Sequence, residues 1–241
     1  MAIRIYQSCS LNINAEITLD ERATQHLVHV LRLKPNTEFI LFNGDGNNYR
    51  ALLVQQAKKQ FCARILDIQP GIAESACLIT LGQAISRGEK MDFAVQKAVE
   101  LGVYAIQPLI TEHIAVKLSA EHLVKKQSHW QAIAISACEQ SGRCHVPQVY
   151  APIILSKWLT ECEQDLRLVL DPTGTQTLPT QTITSSIALL IGPEGGLSDR
   201  EVTLTREYHF QPIKLGPRIL RTETATVSAL TLLQYQWGDL K

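Results

Sequence analysis

Three short strand-like runs, each stopping at a loop built around proline or glycine, leave this chain few ways to fold. Leu166–Leu170 stops at Asp171-Pro172, Ile187–Ile191 at Gly192-Pro193-Glu194-Gly195-Gly196, and Phe210–Lys214 at Leu215-Gly216-Pro217. Runs of five residues are too short for stable helices. The first two are apolar almost throughout, as strands buried on both faces of a parallel sheet are. Helical periodicity fills the gaps. Met91, Ala94, Val95, Ala98 and Leu101 follow one face of a helix expected from about Gly88 to Leu101, ended by Gly102. Strands are expected at Leu78–Ala84 and Val103–Ile110, and a long helix runs from a cap at Ser119 to Gly142. A helix at about Asp199–Glu207 and a last one from Thr222 or Thr224 to about Trp237 complete the series. Alternation of this kind predicts an α/β domain with a mostly parallel sheet.

The first seventy residues read differently. Short β-rich stretches at 2–6, 15–19, 37–43, 48–55 and 60–68, one helix over Glu21–Leu33 capped by Asp20, and the turn at Asn43-Gly44-Asp45-Gly46 suggest a small β-barrel. Gln69-Pro70-Gly71-Ile72 breaks the pattern, which gives domains at 1–72 and 73–241. Lys plus Arg equals Asp plus Glu at 23 each. Bulk charge therefore names no partner, although residues 1–70 carry eight basic side chains against six acidic ones. That tilt permits an RNA partner without requiring one. No apolar run is long enough for a membrane span and no leader pattern opens the chain, so a cytoplasmic protein without membrane contact is expected. Six scattered cysteines form no Cys-x-x-Cys pair and the histidines have no metal spacing, so no metal is expected.

Ligands of open α/β sheets bind beyond the carboxyl ends of the strands, where the glycine loops fall. Composition alone leaves open the plain alternative that these glycines only make turns. The spacing is neither Gly-x-Gly-x-x-Gly nor Gly-x-x-x-x-Gly-Lys, and Glu194 would repel a pyrophosphate. A ligand lacking phosphate, neutral or cationic where it meets the loop, fits better, and S-adenosylmethionine has those properties. Arg218 and Arg221 bring two guanidiniums to the loop before the last helix.

Gly192-Pro193-Glu194-Gly195-Gly196 followed by Leu215-Gly-Pro-Arg-Ile-Leu-Arg-Thr-Glu-Thr-Ala225 resembles the signature of the RsmE family, SPOUT-class methyltransferases that modify N3 of a uridine in 16S ribosomal RNA. The likeness extends through Arg4-Ile5-Tyr6, Val30-Leu31-Arg32, Ser86-Arg87-Gly88-Glu89-Lys90-Met91 and Ala137-Cys138-Glu139-Gln140-Ser141-Gly142-Arg143. Asn43 departs from it, since the family usually has Asp there. The resemblance implies a PUA-like barrel followed by a SPOUT domain with a trefoil knot at its C-terminal end. It also implies S-adenosylmethionine bound in the knot loops, a homodimer, and the 30S subunit with its 16S RNA as substrate. Cofactor contacts would come from Leu170, Asp171, Ile191, Gly192, Pro193, Glu194, Gly195, Gly196, Leu215, Gly216, Ile219, Leu220, Arg221, Thr224 and Ala225.

Uracil N3 is a poor nucleophile until its proton leaves, so the site needs a proton acceptor or a cation for the uracil oxygens. Arg221 and Glu223 are the catalytic candidates, although Glu223 also suits a helix N-terminus without further role. Arg4, Arg32, Lys34, Arg87, Lys90 and Arg143 are candidates for RNA contact, with Lys97 near the face of Arg87 and Lys90. For Arg143 the alternative is an i, i+4 salt bridge to Glu139. A related enzyme acting on transfer RNA and a non-catalytic RNA-binding protein remain as rival readings.

Overall fold

A computed structural model describes residues 2–57, 60–114, 119–174, 177–179 and 186–241. Lys58 and Lys59, counted in the charge of the N-terminal region, lie outside them. The chain divides into two compact units, Met1–Glu74 with Cys138–Val146, and Ser75–Ala137 with Pro147–Lys241.

In the first unit, strands β1 (Arg4–Tyr6), β2 (Glu16–Thr18), β3 (Glu38–Phe42), β4 (Asn47–Ala57) and β5 (Gln60–Pro70) form one sheet in the order β1-β3-β4-β5-β2. β1 pairs in parallel with β3; the remaining pairs are antiparallel. Ile5, Phe39, Leu41, Leu53 and Ile65 make a core that Ala23 and Leu27 join. The helix expected over 21–33 is shorter and changes character. Helix α1 (Glu21–Thr24) is capped by the Asp20 carboxylate, 2.6 Å from the Ala23 N–H. It passes into a π-helical stretch over Gln25–Val30, where the Leu31 N–H reaches the His26 carbonyl at 2.9 Å.

The second unit contains β6 (Leu78–Ala84), α2 (Glu89–Glu100), β7 (Ala105–Ile110), α3 (Ala120–Ser141), β8 (Gln148–Val149), β9 (Ile153–Ile154), α4 (Leu155–Glu161), β10 (Leu166–Leu170), β11 (Ser186–Ile191), α5 (Asp199–Glu207), β12 (Gln211–Ile213) and α6 (Thr222–Trp237). The sheet runs β12-β10-β11-β6-β7-β8, with β9 also on β7, and every pair is parallel. Ile187–Ile191 is buried throughout, as its unbroken apolar sequence requires. Strands β8 and β9 and helix α4 were not anticipated, because two-residue strands and a seven-residue helix leave no periodicity to read. Helix α4 sets the Trp158 indole over β6 at Gly82, where a Cβ would stand inside the ring's van der Waals envelope. Among the described residues, no helix is long and apolar enough to cross a membrane.

The end of α3 is where the fold departs most from the expected one. Residues Cys138–Val146 belong to the first unit, although α3 begins in the second. The Tyr6 N–H donates to Glu139 Oε1 at 2.9 Å, and Arg22 grips both oxygens of the same carboxylate at 2.8 and 3.3 Å. Arg143, 7% exposed, pairs instead with Glu74 through Nε at 3.2 Å and through Nη2. The expected i, i+4 bridge between Glu139 and Arg143 therefore gives way to two partners distant in sequence.

Candidate functional site

Because the sheet is parallel, the carboxyl ends of β10, β11 and β12 lie at one edge, and the loops that follow them converge there. Together they line a cleft of about 740 Å³ in the second unit. Leu170 and Asp171 come from the first loop and Ile191–Gly196 from the second. The third contributes Leu215, Gly216, Ile219, Leu220 and Arg221, and Ala225 closes the wall from α6. Thr224, also expected here, is exposed on α6 and does not line the cleft.

Each loop is held by its own chemistry. Asp171 is turned inward, its Oδ1 accepting from the Thr173 N–H at 2.8 Å and the Thr173 hydroxyl at 2.7 Å. That carboxylate shapes the loop more than it faces a ligand. The glycine loop turns back through the Gly196 N–H to the Pro193 carbonyl at 2.9 Å. Gly196 and Gly216 both stand at φ 72°, a conformation that costs side-chain-bearing residues energy, and a Cβ on either would point into open space. The second loop then enters α5 through a capping box. Ser198 Oγ accepts from the Glu201 N–H at 3.2 Å, while Glu201 Oε2 accepts from the Ser198 N–H at 2.9 Å.

Glu194 stands at the rim of the cleft. It accepts from the Arg87 N–H at 3.2 Å and meets the Lys90 ammonium at 3.2 Å. Burial alone would raise its carboxyl. Hydrogen bonds from its own backbone N–H, the Arg87 N–H and Lys90 outweigh that and hold it below the usual glutamate range. The carboxylate therefore stands ionised beside Lys90, and that ammonium is committed to it and not free for a pyrophosphate. Val169, Leu170, Ile191, Leu197, Val202 and Leu215 give the cleft an apolar wall suited to an aromatic base. Size, apolar wall, open glycine backbone and a carboxylate in place of a phosphate cradle fit S-adenosylmethionine.

Arg221 is the N-cap of α6, exposed, and part of the cleft wall. Glu223 follows in the first turn, partly buried. Its Oε2 is enclosed and has no hydrogen-bond partner among the described residues, and the side chain lies outside the cleft lining. Both catalytic candidates are therefore at the same helix start, but only Arg221 faces the cleft.

Residues 73–234 match the model of an RNA methyltransferase domain, and residues 19–66 that of an RNA methyltransferase PUA domain. The ribosomal RNA small subunit methyltransferase E of Buchnera aphidicola from Schizaphis graminum is 39% identical, over 98% of this chain and 97% of that one. This chain belongs to the small-subunit ribosomal RNA methyltransferase E family. A methyltransferase of Legionella pneumophila, solved in complex with the cofactor S-adenosylmethionine, is 42% identical with a TM-score of 0.95 over the full length of both chains. The family member from Neisseria gonorrhoeae, bound to S-adenosyl methionine, is 37% identical with a TM-score of 0.92, again over both full chains. The SPOUT fold and the methyltransferase class expected from the sequence are thereby shown.

The residues proposed for RNA contact in this family member divide into two groups. Arg32, Lys34 and Arg87 are exposed. Arg32 sits at φ 53°, which turns the chain sharply after the π-helical stretch. Arg4, Lys90 and Arg143 are engaged within the protein. Arg4 reaches Asn48 and the Arg143 carbonyl, with its guanidinium 4.9 Å above the Phe42 ring. Arg143, buried and paired with Glu74, acts as an internal brace, which corrects its expected place on the RNA surface. Lys90 belongs to the cleft rim. Sequence reasoning missed the outer wall, Asp199, Val202, Thr203 and Arg206, whose i, i+3, i+4, i+7 spacing on α5 is one helical face turned to the cleft.

Proposed function

We propose that this chain methylates N3 of one uridine in 16S ribosomal RNA, using S-adenosylmethionine, and acts as a homodimer on the 30S subunit. The observation that carries this reading is the convergence of three strand-end loops on one cleft, in a chain that matches cofactor-bound relatives along its whole length. Leu170, Ile191–Gly196, Leu215, Gly216, Ile219 and Leu220 would hold the cofactor, mostly through backbone groups. S-adenosylmethionine supplies an activated sulfonium methyl, so the protein's task is alignment and management of one proton. Uracil N3 lies on the pairing edge, so the base has to leave its stack to reach the cleft. Arg221 would then stabilise the negative charge that develops on the uracil oxygens as the N3 proton departs. Glu223, outside the cleft lining, would orient Arg221, or accept that proton once its side chain turns into the cleft; its enclosed, unpartnered Oε2 leaves an acceptor open for either role. Arg32, Lys34 and Arg87 would track phosphates.

Two further elements of the reading rest on α6. Its exposed Leu232 and Tyr235 suit a subunit interface. The segment leading to α6 would thread this unit as a trefoil knot, a rare exception to unthreaded chains.

The test incubates the protein with tritiated S-adenosylmethionine and 30S subunits from cells lacking the modification. Label should be recovered as 3-methyluridine at a single 16S position. Label on transfer RNA would overturn the target; absence of any label on RNA would overturn the reaction.

A further inference from the structure

We propose that Gln83 is a positioning residue that, through Thr222, locks the cofactor loop to the helix start carrying Arg221 and Glu223. This rests on the methyltransferase reading above. Gln83 is the penultimate residue of β6, in register with Ile191 at the end of β11, and is 0% exposed. It lies behind the cleft and does not line it. A fully buried amide is costly unless its polar atoms are used, and here both the nitrogen and the oxygen are.

The direction of each hydrogen bond follows from one fixed acceptor. The Gly192 carbonyl, first in the glycine loop, can only accept, so the Thr222 hydroxyl at 2.8 Å has to donate to it. Having spent its proton, Thr222 Oγ1 can only accept from Gln83, which must turn its amide nitrogen toward it, at 3.1 Å. The same nitrogen donates to the Ala84 carbonyl at 3.2 Å. The Gln83 oxygen then faces the Thr226 hydroxyl at 2.6 Å, one turn further along α6. Thr226 is also 0% exposed and lies 2.9 Å from the Thr222 carbonyl. The chain of polarity therefore runs from α6 through β6 to the glycine loop in one sense only. Gln83 and Thr222 together thus join those three elements by side-chain hydrogen bonds. Packing alone could hold α6 near the sheet, but only a directional chain fixes the rotation of the Gly192 peptide and the phase of the first α6 turn. Those two settings decide how the loop's backbone groups face a ligand and where Arg221 points.

The Gln83→Glu substitution gives a test that simple packing does not mimic. While protonated, the introduced carboxyl has one O–H to donate to Thr222 and one oxygen to accept from Thr226, so it keeps the relay and gives up only the bond to the Ala84 carbonyl. Once ionised it cannot donate, and the Thr222 hydroxyl would turn from Gly192 toward it. The experiment measures S-adenosylmethionine affinity by calorimetry from pH 5.5 to 9 for wild type, Gln83→Glu and Gln83→Met, with melting curves for each apo protein. Expected is near-wild-type affinity for Gln83→Glu at the acid end, weakening about tenfold as pH rises, against a uniform loss of about tenfold for Gln83→Met. Should Gln83→Glu fail to fold, Thr222→Ser and Thr222→Val replace it: the first keeps the hydroxyl and should bind as wild type, the second should not. Two results would overturn the relay: variants that bind like wild type at every pH, or Gln83→Glu and Gln83→Met losing affinity equally at every pH. Loss of binding by wild type itself would instead overturn the cofactor assignment.

Discussion

At the level of single residues, the proposed chemistry falls to two charged groups at the start of α6 and one at the cleft rim. Removing the Arg221 guanidinium should lower kcat by roughly 10²–10³-fold, the usual cost of losing one preorganised donor, with a smaller change in KM for RNA. Glu223→Gln should lower kcat by about a hundredfold if the carboxylate takes the proton. Unchanged single-turnover rates at saturating RNA would remove that role and leave Glu223 as a helix-start carboxylate. Glu194 makes a prediction in pH. Its folded carboxyl is held below the ordinary value of 4.5, so the contribution of its contacts is fully present above that value and disappears as pH falls through the lower one. The melting temperatures of wild type and Glu194→Gln should therefore differ at neutral pH and converge in acid. A difference that persisted in acid strong enough to protonate the carboxyl in the folded protein would mean that the Lys90 and Arg87 contacts do not set its stability.

At the level of elements, much was legible and the exceptions have physical reasons. Ile187–Ile191 announced a buried parallel strand because five unbroken apolar residues have no exposed face to offer. The helices over Glu89–Glu100 and Thr222–Trp237 follow from spacing and end signals. The pairing of Gln83 with Thr222 was not legible, because contacts between residues 139 positions apart leave no periodic trace; the α5 face is periodic, but it is mostly polar and reads like a solvated face. Glu139 and Arg143 show the opposite error. Their i, i+4 spacing invites a local bridge, yet each has a partner more than sixty residues away. Gly82 is a further case, a glycine inside a strand whose reason is the Trp158 ring laid across it. Gly82→Val should cost about 1–3 kcal/mol through forced displacement of that ring, measured by urea unfolding. A stability equal to wild type would show that α4 shifts without cost.

For the molecule as a whole, the two units divide their tasks: one presents basic residues such as Arg32 and Lys34, the other holds the cleft. Five of the six cysteines are buried in the core, and Cys9 is exposed. Burial pushes the Cys138 and Cys162 thiols up to about 12 and Cys77 to about 11, and Cys62 and Cys144 are buried as well. A thiol reagent at about pH 8 should accordingly find one fast site, Cys9, and release the other five only on unfolding. More than one fast thiol in the native protein would contradict the described burial.

The link between Gln83 and Thr222 also bears on how the protein comes to be competent. Their contact closes a loop of more than half the chain, so no early folding unit can contain a finished cofactor site. Ligand affinity then belongs only to molecules whose last helix has docked, and a ligand that binds that state alone pulls the folding equilibrium toward it. Cofactor in the surroundings would thus act as a quality check: chains that have not completed their final step carry no methyl donor, and those that have are held in the completed form.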